Sequence, residues 1–174
     1  MYFLDTDLSG LEILLKVIVP LLIALVVGAF VGLERQNVGK AAGLSSHILV
    51  SVASAGIAIM QRLMFEHQVF LQSTGVSIDP EQQRVIAQVV TGIGFIGAGV
   101  ILKDQAQVIR GITTAATLWF VAMTGLILGS GYVVIGSILG VFVIVFILTR
   151  DFKRGFNPLI PKDKRERPKN NVQE

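Results

Sequence analysis

Glu34 is the residue best placed to do chemistry. It closes an unbroken apolar run, and an acid at that depth of a bilayer needs a partner. Arg35 follows directly, yet neighbouring residues on a helix point about 100° apart, so Arg110 is the expected partner for the Glu34 carboxylate. Ser45, Ser46 and His47 open the second apolar stretch, Lys103 and Asp104 close the third, and Arg110 and Gly111 open the fourth. All of these ends fall on one membrane face, where they can gather into a polar cluster. The plain alternative is interfacial anchoring with local ion pairs, which contribute little when exposed; Lys40 and Lys103 fit that alternative. Deeper polar groups are Gln88, Thr91, Thr113, Thr114 and Thr117. Threonine commonly bonds its own helix backbone, whereas the Gln88 amide has no such local solution and should reach across to another helix. The candidate functional cluster is therefore Glu34, Arg35, Gln88, Asp104, Arg110, Thr113, Thr114 and Thr117.

Catalytic arrangements are missing from this inventory. There is no Ser/His/Asp set, no HExxH and no close carboxylate pair. Cysteine is absent, which rules out a disulfide framework and a zinc-thiolate site. The two histidines, His47 and His67, fall on opposite faces. The chain reads as a non-enzyme without a cofactor, and Glu34 becomes a metal ligand only if the chain moves ions. Gly92-Ile93-Gly94-Phe95-Ile96-Gly97 matches G-x-G-x-x-G by letter. That dinucleotide fingerprint needs a strand before it and a helix after it, and here it lies inside one apolar span. A glycine costs roughly 1 kcal/mol in a water-exposed helix, but in a bilayer small residues let helix backbones approach closely. Gly28 with Gly32, Gly94 with Ala98 and Gly136 with Gly140 form small-xxx-small pairs; Gly92 and Gly99 widen the groove, and Gly97 and Gly111 are further helix-packing candidates, Gly111 at the opening of the fourth span. The glycine-lined groove is thus expected to pack helices, or alternatively to offer backbone carbonyls to an ion.

The elements that must position these residues are membrane spans. The chain is 52% hydrophobic and 16% charged, against about 25% charged for a soluble domain, and its mean hydropathy is +0.69. Apolar stretches approach the 17 to 25 residues a helix needs to cross at about 13–33, 44–60, 85–102, 112–128 and 132–148. The fold class is an all-α bundle of about five transmembrane helices over residues 1–149. Gly129-Ser130-Gly131 is a tight turn between the last two, Gln61–Arg84 is the long loop, and Asp79-Pro80-Glu81-Gln82 reads as a helix start at Pro80. The segment before the first span is acidic, unlike a signal peptide, so that span is read as retained. Residues 150–174 form a basic, proline-broken tail too polar to fold alone; it reads as a topology anchor against anionic headgroups or a docking segment. Placing the amino terminus outside leaves Lys16, Arg62 and Arg84 external, while Arg35, Lys40, Lys103, Arg110 and every basic residue from Arg150 onward are cytoplasmic. The bilayer is the clear partner, a homo-oligomer is a further possibility, and nucleic acid is not expected.

Two blocks carry a family resemblance. Gly32-Leu33-Glu34-Arg35-Gln36 and Ala42-Gly43-Leu44 precede Ala87–Ile101, which contains the four glycines, and Arg110-Gly111-Ile112-Thr113-Thr114-Ala115-Ala116-Thr117-Leu118-Trp119. In order and separation they resemble the membrane domain of the MgtC/SapB family, without the soluble carboxyl-terminal domain of many members. The resemblance implies a bacterial inner-membrane protein tied to magnesium limitation, acid stress or virulence. It implies a regulator acting through helix contacts, with the F-type ATP synthase among possible partners, or else a Mg²⁺ or H⁺ transporter using Glu34 and the glycine-rich helix. It also attaches importance to Glu34, Gln88, the glycines, Arg110 and the threonines of the fourth span.

Overall fold

A computed structural model describes residues 8–75, 77, 84–103, 105, 107–153 and 155. Helix α1 runs over Gly10–Asn37, α2 over Leu44–Ser73, α3 over Arg84–Gly99, α4 over Ile112–Gly129 and α5 over Val133–Lys153. Between α3 and α4, strands β1 (Leu102–Lys103) and β2 (Ile109–Arg110) pair antiparallel, Leu102 opposite Arg110. Four of the helices are long and apolar enough to cross a membrane; α3 is a shorter apolar helix in its described part.

Helix α1 starts on a reciprocal cap. The Ser9 hydroxyl accepts from the Glu12 N–H at 3.3 Å, and the Glu12 carboxylate accepts from the Ser9 N–H at 3.0 Å. Further along, Pro20 interrupts the ladder because it has no N–H to give the carbonyl of Lys16. Two features accommodate the loss. Residues Leu14–Ile18 widen into a π-helical turn, and Arg62 of α2 donates through Nη2 to the Lys16 carbonyl at 2.6 Å. A residue that would be a defect in α1 becomes an attachment point for α2.

Small residues set the packing. A Cβ at Gly28 would stand 2.8 Å from the His47 carbonyl, and one at Gly32 would stand 2.7 Å from Cα of Leu44. From the other side, Gly125 and Gly129 of α4 press on α2, where a Cβ would meet the Ser51 and Ala55 carbonyls at 2.3 and 2.2 Å. Helix α2 is thus clamped between α1 and α4 at backbone distance, along its small face of Ser51, Ala55 and Ala58. The Ser51 hydroxyl donates to the Ala24 carbonyl at 2.8 Å. Helix α5 covers the bundle through Gly136 against Leu128 and Gly140 against Val27. An apolar cluster of Val27, Val31, Val121, Val143 and Ile147 fills the space between α1, α4 and α5.

Three sequence expectations change. The stretch after Gln61 is not loop: α2 continues to Ser73, because Gln, Arg, Leu and Glu are good helix formers even where the chain leaves the apolar register. Thirty residues make a rod of about 45 Å, well beyond the roughly 30 Å hydrocarbon layer. The third span stops at Gly99, and Leu102 belongs to a strand. The charged loop after it is a β-hairpin. The cap at Asp79-Pro80, and the tail from residue 156 onward, lie outside the described residues.

Candidate functional site

At one end of the bundle the last turn of α1 supplies Glu34 and Arg35, the start of α2 supplies His47, α4 supplies Thr114 and Thr117, and the last turn of α5 supplies Arg150 and Asp151. Glu34 and Arg35 are only 2% and 3% exposed. Arg35 donates from Nε and Nη2 to the two oxygens of Glu34, a fork-to-fork pair. Arg150 donates from Nη2 to Oε1 of Glu34 at 2.7 Å and from Nε to Oδ1 of Asp151 at 2.8 Å. The four groups form one line, Arg35–Glu34–Arg150–Asp151, in which charges alternate and cancel. Removing both carboxylates and guanidiniums from water is costly, and only such dense pairing offsets it.

Beside this line His47 is wholly buried. Its Nδ1 lies 2.8 Å from the Gly43 carbonyl, which can only accept, so Nδ1 carries a proton. Its Nε2 lies 3.1 Å from Oγ1 of Thr117, and that hydroxyl also lies 2.9 Å from the Thr114 carbonyl. One hydroxyl proton therefore faces two acceptors when the imidazole is neutral. An imidazolium would instead donate from Nε2 to Thr117 and free the hydroxyl for Thr114.

The expected Glu34–Arg110 pair is replaced by pairs with Arg35 and Arg150. The argument from helical angle fixed the direction of Cβ, but a long arginine folds back far enough to reach the carboxylate of its neighbour. Arg110 stands exposed on β2. Thr114 is buried, Thr117 bonds His47, and Thr113 is exposed. Gln88 stands on the exposed side of α3 rather than reaching into the bundle. Asp104 lies outside the described residues. Gly28 and Gly32 pack as described above. The glycines of α3 do not do so within this chain. Among the described residues of α3, Ile93 and Gly97 are buried, and Gly97 makes an ordinary contact with Ala115 at 3.7 Å. Gly92, Gly94 and Gly99 have no atom within 4 Å of where a Cβ would be, and Ala98 is exposed. Gly111 has φ +93°, and a Cβ there would fall 1.9 Å from the Val100 carbonyl. Its role is therefore the junction between hairpin and helix.

Sequence reasoning passed over Arg150 and Asp151 as part of the basic tail. The available signal was an acid directly after a base at the end of an apolar helix, the same pattern as Glu34-Arg35 in reverse. It also passed over Gly125, and it placed Gly129 in the turn, whereas Gly129 ends α4 and packs on Ala55.

A helical bundle with four apolar spanning helices and charge confined to its ends defines a multi-pass membrane protein. The chain belongs to the MgtC family, whose model matches residues 21–154. It is 41% identical over 119 residues to YhiD of Escherichia coli K12, whose name assigns it provisionally to magnesium transport; the match covers 68% of this chain and 53% of that protein. It is 39% identical over 121 residues to Protein MgtC of Brucella abortus, covering 70% and 45% of the two chains. It is 38% identical over 131 residues to Protein SapB of Bacillus subtilis, covering 75% and 51%. The chain spans about half the length of the curated relatives it matches. No solved structure matches.

Proposed function

We propose that this chain is a non-enzymatic regulator of the bacterial inner membrane, acting through helix contacts on another membrane complex during magnesium limitation, acid stress or virulence. The observation that carries this reading is the state of Glu34. Its carboxylate is already occupied by two guanidiniums and buried, so a cation using it would first have to displace Arg35 and Arg150. Mg²⁺ holds its waters tightly and asks for octahedral oxygen ligands. The other carboxylate of the cluster, Asp151, is itself paired with Arg150. A regulator instead needs a rigid bundle with a face to offer, and the outward side of α3 provides room for a second helix at Gly92, Gly94 and Gly99. In this reading the amino terminus is outside, the cluster and the tail are cytoplasmic, and the F-type ATP synthase is a candidate partner drawn from the family resemblance. A homo-oligomer through α3 is compatible with it.

Transport of Mg²⁺ or H⁺ through Glu34 is the second reading, favoured by the name of the Escherichia coli relative. Flux of both ions into proteoliposomes, with Glu34→Gln as the paired control, separates the two. Folded protein without flux is the expected result. Flux that disappears in Glu34→Gln would overturn the regulatory reading.

A further inference from the structure

The α1–α2 connection, the hairpin and the start of α4 enclose a cavity of about 700 Å³, and nothing in the regulatory reading uses it. Lys40 enters from the α1–α2 connection, Lys103 and Arg110 from the two strands, and Gly111 and Thr113 from the head of α4. Among the described residues that line the cavity three are basic and none is acidic, so its wall is positively charged. Because every contributor is the end of a span or a connection between spans, the cavity opens at headgroup level rather than in hydrocarbon.

A second hollow of about 430 Å³ shares Ile112 and Thr113 with the first, has Thr117 and Arg150 in its wall, and runs along the α4–α5 seam past Ala116, Phe120, Phe142 and Phe146. Phe142 stacks on Phe146 with ring centres 6.2 Å apart and meets Phe120 at 6.5 Å. A basic chamber at the interface thus adjoins an apolar channel of aromatic rings directed into the bilayer. That pairing has the polarity of an amphiphile with an anionic head. We propose that the two hollows together hold one anionic phospholipid, with its phosphate among Lys40, Lys103 and Arg110 and one acyl chain along the phenylalanines. Basic pockets between spans on the cytoplasmic side commonly receive anionic headgroups, and each hollow taken singly falls within the size of ordinary ligand sites. A zwitterionic lipid brings its own ammonium group and gains less from this wall.

The test is native mass spectrometry of the full chain in mixed micelles with phosphatidylglycerol or phosphatidylcholine, with inorganic phosphate as competitor. Phosphatidylglycerol should be retained preferentially. Lys40→Gln/Lys103→Gln should reduce its retention about tenfold, taking each lysine as a few-fold contribution. Ala116→Trp, which fills the apolar channel, should reduce it comparably while gel filtration and helical circular dichroism stay unchanged. If Ala116→Trp fails to fold, Phe142→Ala, which removes the channel wall, takes its place with the same expected loss. Equal retention of the two lipids would overturn the proposal. So would phosphatidylglycerol binding that ignores the channel variant and is displaced by inorganic phosphate, since the site would then take free phosphate alone.

Discussion

Arg62 donates to the backbone carbonyl of Lys16 at 2.6 Å, the same carbonyl that Pro20 leaves without its helical donor. The two positions are 46 residues apart, so the contact converts a local interruption in α1 into a tie to α2. Arg62→Met should cost about 1–3 kcal/mol, the penalty for leaving a buried acceptor unmet. Pro20→Ala restores the N–H that the carbonyl lacks. In that background Arg62→Met should therefore cost clearly less. A double-mutant cycle by thermal unfolding in detergent reads the coupling, and strict additivity would show that the carbonyl does not link the two residues.

The buried line of charges makes an ordering prediction. Glu34→Ala strands Arg35, which is 3% exposed, beside a second guanidinium. Loss of one member of a buried pair typically costs about 3–5 kcal/mol. Arg150→Ala strips Asp151 of its cation but leaves Glu34 its two-point pair with Arg35, so it should cost less than Glu34→Ala. Chemical denaturation of the three proteins in one detergent checks the order, and a larger effect from Arg150→Ala would contradict it.

The glycines divide into two groups by the space around them. At Gly129 a Cβ would lie 2.2 Å from the Ala55 carbonyl, and a backbone atom cannot step aside as a flexible side chain would. Gly129→Ala should therefore separate α4 from α2 and cost at least the 1–3 kcal/mol typical of overpacking. At Gly94 nothing lies within 4 Å, so Gly94→Ala should leave the melting temperature of the monomer unchanged or slightly higher. If Gly94→Ala instead lowers the melting temperature, and does so more at low protein concentration, α3 is buried in an assembly of copies.

Gly111 tests the hairpin separately. Its positive φ is strained for any other residue, and its missing Cβ makes room for the Val100 carbonyl. Gly111→Ala should open the junction between β2 and α4 without unfolding the spans. Faster proteolytic cutting between residues 102 and 111, with circular dichroism intact, is the expected signature. Resistance equal to that of the parent chain would count against it.

Helix existence was readable because a bilayer demands long apolar runs, and the runs at Ile112 and Val133 ended within a few residues of where composition placed them. Where the chain leaves hydrocarbon that demand lapses, and α2 continues to Ser73 past the point where its composition stops resembling a span. The packing at Gly28 and Gly32 was visible in spacing, since both fall on the face toward α2. Gly94 and Ala98 of α3 carry the same spacing but point outward, and no single-chain pattern tells an inner face from an outer one. Glu34 stood out as a carboxylate needing a counter-charge, yet its partner could not be read. Arg150 reaches it only because α5 returns beside α1, a matter of tertiary topology rather than of local sequence.

That topology also orders events during synthesis. Arg150 follows Glu34 by 116 residues, so α1 emerges from the ribosome and must enter the membrane long before α5 exists. Arg35, by contrast, is the next residue in the chain, so its pairing with Glu34 needs no later helix. The adjacent pair is complete within one turn of α1, and the final helix adds a second cation to a carboxylate that already has one.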